Sequence, residues 1–133
     1  CLTWAAGRLF YNAGADDMGS MSRNKGKRGE REAAEALNQK LGECMKARRG
    51  VQFKGGPQSP DVSTALDNHI LFEVKRTERF KLYDAVDQAR ADGGGKPSIV
   101  LHRANGRPWV AVIPLDDLAT ISEILANRED LTD

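Results

Sequence analysis

Cysteine is almost missing from the 133 residues, with Cys1 and Cys44 the only two. Two thiols cannot staple a fold of this size, which excludes the disulfide-framed secreted class. The two histidines, His69 and His102, stand far from them and from each other, so no zinc-type spacing such as CxxC or HxxxH exists. Aromatic residues make up only 6% of the chain, leaving little for base stacking or sequence readout. No apolar run approaches the roughly 20 residues that a membrane-crossing helix needs. The first twenty residues also lack the basic start and long apolar stretch of a secretory signal. These absences read as an intracellular, cytoplasmic protein with no membrane partner. What remains is 40% hydrophobic and 29% charged, a composition and length suited to one packed domain.

A dominant charge is lacking too, since 20 Lys and Arg face 19 Asp and Glu. The balance is local rather than uniform. Residues 21–59 hold ten basic and four acidic side chains, a net of +6, while residues 60–92 and 93–133 each come to −2. The basic excess starts at Arg23, Lys25, Lys27, Arg28 and Arg31, a cluster that a phosphate backbone would attract. A solvated helix start would carry the same charges. Residues 1–20, ending in Gly19-Ser20 before Met21, read as a leader or tag, and residues 21–133 as one domain.

Hydrophobic spacing orders the elements. Ala33, Ala34, Leu37 and Leu41 recur at helical intervals from Lys25 onward, with Gly42 as the stop. Residues 47–54 read as a short strand closed by Gly55-Gly56-Pro57, and Val62–Leu66 and His69–Arg76 as two strands around the turn formers Asp67 and Asn68. Phe80–Asp92 places Leu82, Val86 and Ala89 on one helical face, ended by three glycines. SIVLHR and PWVAVI form a hairpin through Asn105-Gly106, and Leu115–Asn127 is a closing helix. The order α-β-β-β-α-β-β-α predicts a mixed α/β fold, a central sheet of about five strands flanked by helices.

The chemistry concentrates at Pro60-Asp61 and Phe72-Glu73-Val74-Lys75. If the two strands form a hairpin centred on Asp67, residues whose numbers sum to 134 face each other, so Asp61 opposes Glu73 and Val62 opposes Phe72. Side chains alternate along a strand, which puts Asp61, Glu73 and Lys75 on one surface and Val62, Ile70, Phe72 and Val74 on the core side. Two carboxylates about 5 Å apart repel unless a cation stands between them. Open hard-oxygen sites of that kind suit Mg²⁺ completed by water and substrate phosphate. Lys75 could then orient or deprotonate a water and offset phosphate charge. The competing reading is a solvated face with an ordinary cross-strand ion pair.

Pro60-Asp61 with Glu73-Val74-Lys75 resembles the signature of the PD-(D/E)XK nuclease superfamily. Within it, Lys25-Gly26-Lys27-Arg28-Gly29-Glu30-Arg31 is similar to the opening motif of archaeal-type Holliday junction resolvases and their phage and bacterial relatives. The likeness runs over about residues 23–114. It implies a restriction-endonuclease-like sheet and metal binding by Asp61, Glu73 and the Val74 carbonyl, with Mg²⁺ as the ion and Mn²⁺ able to substitute. It implies that Lys75 positions the water, with Glu30 and Gln88 supporting the catalytic group. DNA would be held by Arg23, Lys25, Lys27, Arg28, Arg31, Lys54 and Arg76, and the enzyme would act as a homodimer on four-way junctions. Other nucleases on this scaffold, such as flap, nicking or restriction types, share these motifs, and the rivals outside the enzymes are a non-catalytic DNA-binding module and an interaction protein with no nucleic-acid role. Lys96 follows three glycines but precedes a strand and has no Ser or Thr after it, so it is not a P-loop lysine.

Overall fold

A computed structural model describes the backbone of residues 15–50 and 60–132, with side chains from residue 26 onward. Helix α1 (Ala15–Leu41) leads into strand β1 (Arg48–Arg49), then β2 (Val62–Ser63), β3 (Leu71–Lys75), helix α2 (Leu82–Gly93), β4 (Ser98–His102), β5 (Val110–Val112), α3 (Leu118–Ala126) and α4 (Arg128–Leu131). Among the described residues, five strands form one sheet in the order β1-β2-β3-β4-β5. Only β3 and β4 pair in parallel, the other three pairings being antiparallel. The mixed α/β sheet flanked by helices is therefore as expected.

The sheet is covered on both faces. Val62, Phe72, Ile99 and Leu101 pack on one face with Ala33, Ala34 and Leu37 of α1 and Ile121 of α3. On the other, Val100 packs with Ala85 and Ala89 of α2. Val62 pairs with Phe72, the register expected from a hairpin centred on Asp67. Burying one face makes such a register strict, because a one-residue slip would turn every apolar side chain to the wrong side.

Four sequence expectations change in extent. Helix α1 begins at Ala15, ten residues before the start expected at Lys25; adding a residue to a formed helix contributes one hydrogen bond per residue fixed. Strand β2 stops at Ser63 because Asp67 captures the Thr64 amide at 2.8 Å and the Ser63 hydroxyl, curling the chain into a turn. The buried row of α2 is Ala85, Ala89 and Gly93, small residues four apart, while Leu82 in the first turn is 41% exposed. The strand expected over residues 47–54 is seen at Arg48–Arg49, and residues 51–59, Lys54 among them, lie outside the described residues.

Two contacts bind the first strand pair to α1 and to each other. The Asn38 side chain accepts from Ala47 N–H at 2.8 Å and donates to Ala47 C=O at 3.0 Å, so an amide side chain pairs with β1 as another strand would. Gly50 N–H donates to Asp61 C=O at 2.9 Å. A Cβ at Gly50 would stand 2.0 Å from the Pro60 oxygen, so only glycine permits this approach. Among the described residues, no helix is long and apolar enough to cross a membrane.

Candidate active site

Backbone polarity along β3 decides what lies at its edge. Leu71 N–H donates to Pro97 C=O and Lys75 C=O accepts from Arg103 N–H, so the odd-numbered residues turn their peptide groups toward β4. Val74 therefore turns its amide and carbonyl toward β2. The β2 ladder has ended there, and the Asp61 side chain takes the strand's place, its Oδ2 accepting Val74 N–H at 3.0 Å.

That bond brings Asp61 to the Glu73 carboxyl. Glu73 is only 5% exposed and lies on the α2 face of the sheet, where it pairs with Val100 of β4. Burial, then the charge of Asp61 and the hydrogen bond between the two carboxyls, push its pKa up to about 8; Asp92 adds to the rise and Lys75 opposes it. The pair thus retains a proton at neutral pH, as two crowded carboxylates do without a cation. Asp61 and Glu73 share one side of the sheet edge, as the register argument required.

Lys75 follows two residues later on the same face. Its Nζ donates to Gln88 Oε1 on α2 at 3.0 Å. An ammonium has three N–H donors, so two remain for a water or a phosphate oxygen. Gln88 is exposed but engaged, which spacing along the helix alone could not reveal.

Glu30 reaches the same region from α1. Its pKa is raised, first by burial and then by Asp61, while Arg49 and Arg31 counter the rise. Arg49 Nε donates to Glu30 Oε1 at 3.1 Å. Arg49 carries no sequence signal for this role, because its place beside Glu30 depends on the pairing of β1 with β2 and on the Asn38 and Gly50 contacts. Gly29, one residue earlier, lets α1 approach β3 closely; a Cβ there would stand 2.7 Å from Arg76 Cβ.

The hard-oxygen donors gathered here are two carboxylates and a strand-edge carbonyl, Val74, which fits Mg²⁺ in an open site better than a closed cage. Among the described residues, no group of three or more His, Cys, Asp or Glu forms a complete metal-holding cluster. Glu30, drawn to Arg49, accordingly stays beside the pair rather than within it.

The expected DNA contacts divide. Lys27, Arg28 and Arg31 are exposed on α1. Arg76 turns inward, meeting Glu32 at 3.5 Å and Glu78 at 3.8 Å, and donates to Arg103 C=O at 3.3 Å. The side chains of Arg23 and Lys25 lie outside the described residues, as does Lys54. Compared with protein-family models, with curated proteins and with solved structures, the chain finds no match.

Proposed function

We propose that the chain is a Mg²⁺-dependent endodeoxyribonuclease of the PD-(D/E)XK kind, selective for branched DNA in the manner of a Holliday junction resolvase and working as a homodimer. One observation carries the reading: the Asp61 and Glu73 carboxyls touch at the β3 edge, with Lys75 on the same face and steadied by Gln88. Two carboxyls forced together and a fixed ammonium two residues on form an expensive arrangement for a surface with no chemistry, since each like-charge contact opposes the fold.

Asp61 and Glu73 would hold the ion with the Val74 carbonyl. When bound, such an ion neutralises phosphate charge and lowers the pKa of a water. Lys75 orients the attacking water and donates to a non-bridging phosphate oxygen as its charge grows. The water oxygen forms a bond to phosphorus and gives up one proton to solvent, the bond from phosphorus to one bridging oxygen breaks, and that oxygen takes a proton from solvent. Gln88 keeps the ammonium from swinging away. Glu30, held by Arg49, borders the water's side of the pocket, and the exposed Lys27, Arg28 and Arg31 receive neighbouring phosphates.

The test uses end-labelled four-way junction, flap and linear duplex DNA, with and without Mg²⁺, beside Glu73→Ala and Lys75→Ala. The expected result is junction nicking that needs Mg²⁺ and is abolished by both substitutions while DNA binding persists. Preferential flap cutting would retain the chemistry and remove the junction preference. Binding without cutting under Mg²⁺ or Mn²⁺ would leave a DNA-binding module instead.

A further inference from the structure

Two hollows open on either side of Lys75. One, about 440 Å³, is lined by Gly26 and Glu30 of α1 and by Val74. The other, about 240 Å³, lies between the β3–α2 loop and α2, with Arg79, Phe80, Lys81, Asp84 and Gln88 on its walls. Lys75 and Thr77 line both, so the two hollows adjoin with Lys75 between them.

The second hollow is cationic. Lys75, Arg79 and Lys81 face a single carboxylate, Asp84. Neither Arg79 nor Lys81 enters an ion pair among the described residues, unlike Arg76, Arg103 and Arg49, which all do. Both are exposed, and the loop that bears them is pinned. His102 Nε2 lies 3.0 Å from Thr77 C=O and must donate, because a carbonyl can only accept. The Thr77 hydroxyl donates to Arg79 C=O at 3.0 Å, and Glu78 accepts from Asn105 N–H at 2.8 Å. Phe80 stacks on His102 with ring centroids 4.1 Å apart. Two unpaired cations on a pinned loop can meet an anion without reordering the backbone that carries them.

We infer that Arg79 and Lys81 form a second phosphate-binding subsite, holding the backbone of the cleaved strand on the far side of Lys75 from α1. The inference rests on the nuclease reading and extends it. The cut strand passes from one hollow to the other across Lys75, its reacting phosphate there, with α1 gripping one flank and the β3–α2 loop the other. Arg79 and Lys81 are positioning residues that touch neighbouring phosphates and leave the reacting atoms alone.

The test compares wild type, R79A/K81A, the charge-keeping R79K/K81R, and R90A, an exposed arginine more than two helical turns farther along α2. Junction binding is titrated against salt in EDTA, and cleavage is followed in Mg²⁺. Each lost phosphate contact lowers the slope of log K against log salt by about 0.9. For R79A/K81A the expected change is a slope reduced by about two per subunit, about 3.6 for the homodimer on a junction, a KM raised about tenfold and a kcat within about twofold of wild type. R79K/K81R and R90A should keep the wild-type slope. A double variant with the wild-type slope and KM overturns the subsite while leaving the nuclease reading intact. A wild-type chain that neither binds nor cuts DNA overturns both.

Discussion

Asp61 Oδ2 accepts the Val74 amide hydrogen at 3.0 Å, a carboxylate occupying the place a strand would fill beside β3. Asp61 is therefore held by the backbone of the strand that carries Glu73. A site built this way keeps its shape before any ligand arrives, which lowers the reorganisation that binding and chemistry demand.

Gly50→Ala should damage the site from a distance. The added methyl would collide with the Pro60 carbonyl at 2.0 Å and break the bond from Gly50 N–H to Asp61 C=O. Chemical denaturation should show a loss of about 3 kcal/mol, in the upper range for single substitutions. The nicking activity of whatever remains folded should fall with the displaced Asp61.

Stability should depend on pH in a direction set by Glu73. Its pKa is about 8 in the folded chain, against 4.5 for an ordinary glutamate. As pH rises between these values, the unfolded chain gives up this proton first, so the metal-free protein loses stability. Glu30, also raised, adds in the same direction. In EDTA, the wild-type Tm should fall relative to Glu73→Gln from about pH 5 to about pH 8. Mg²⁺ should reverse the fall, because the ion replaces the proton between the carboxyls.

Gln88→Ala should separate positioning from binding. It frees Lys75 Nζ from its 3.0 Å contact without altering the carboxyl pair. A misplaced ammonium should lower kcat by about tenfold, with junction affinity and Mg²⁺ affinity unchanged. Single-turnover nicking alongside a gel-shift titration reads both quantities.

Arg76→Ala should act on the fold more than on DNA. The side chain is 14% exposed and ties α1 through Glu32 to the β3–α2 loop through Glu78. Its loss should cost about 1–3 kcal/mol of stability, read by denaturant unfolding. The salt dependence of DNA binding should stay at the wild-type slope.

Local pattern carried much of this architecture. Alternation and turn residues placed Val62 opposite Phe72, and the dipeptide Asn105-Gly106 supplied the β4–β5 turn, with Gly106 at φ +72°. The two-sided cover of the sheet follows from the order of elements. What stayed hidden depends on partners far apart in sequence. Asn38 pairing with Ala47, Arg49 reaching Glu30, and Gly50 pressing on Pro60 each join segments that no periodicity links. Arg76 illustrates the same limit from the other side: its charge suggested a phosphate, but Glu32 and Glu78 already satisfy it. Charge can be counted in a sequence, whereas its neutralisation is a property of packing.

The most direct measurement is a titration of Mn²⁺ into metal-free protein, followed by its electron spin resonance signal, for wild type, Lys75→Ala, Asp61→Asn and Glu73→Gln. Asp61→Asn keeps an acceptor for the Val74 amide and removes only the charge, while Lys75→Ala leaves both carboxyls in place. Wild type and Lys75→Ala should bind one ion per chain, and the two carboxyl variants should lose at least about a hundredfold in affinity. Equal binding by all four proteins, or by none, would contradict a shared ion between Asp61 and Glu73.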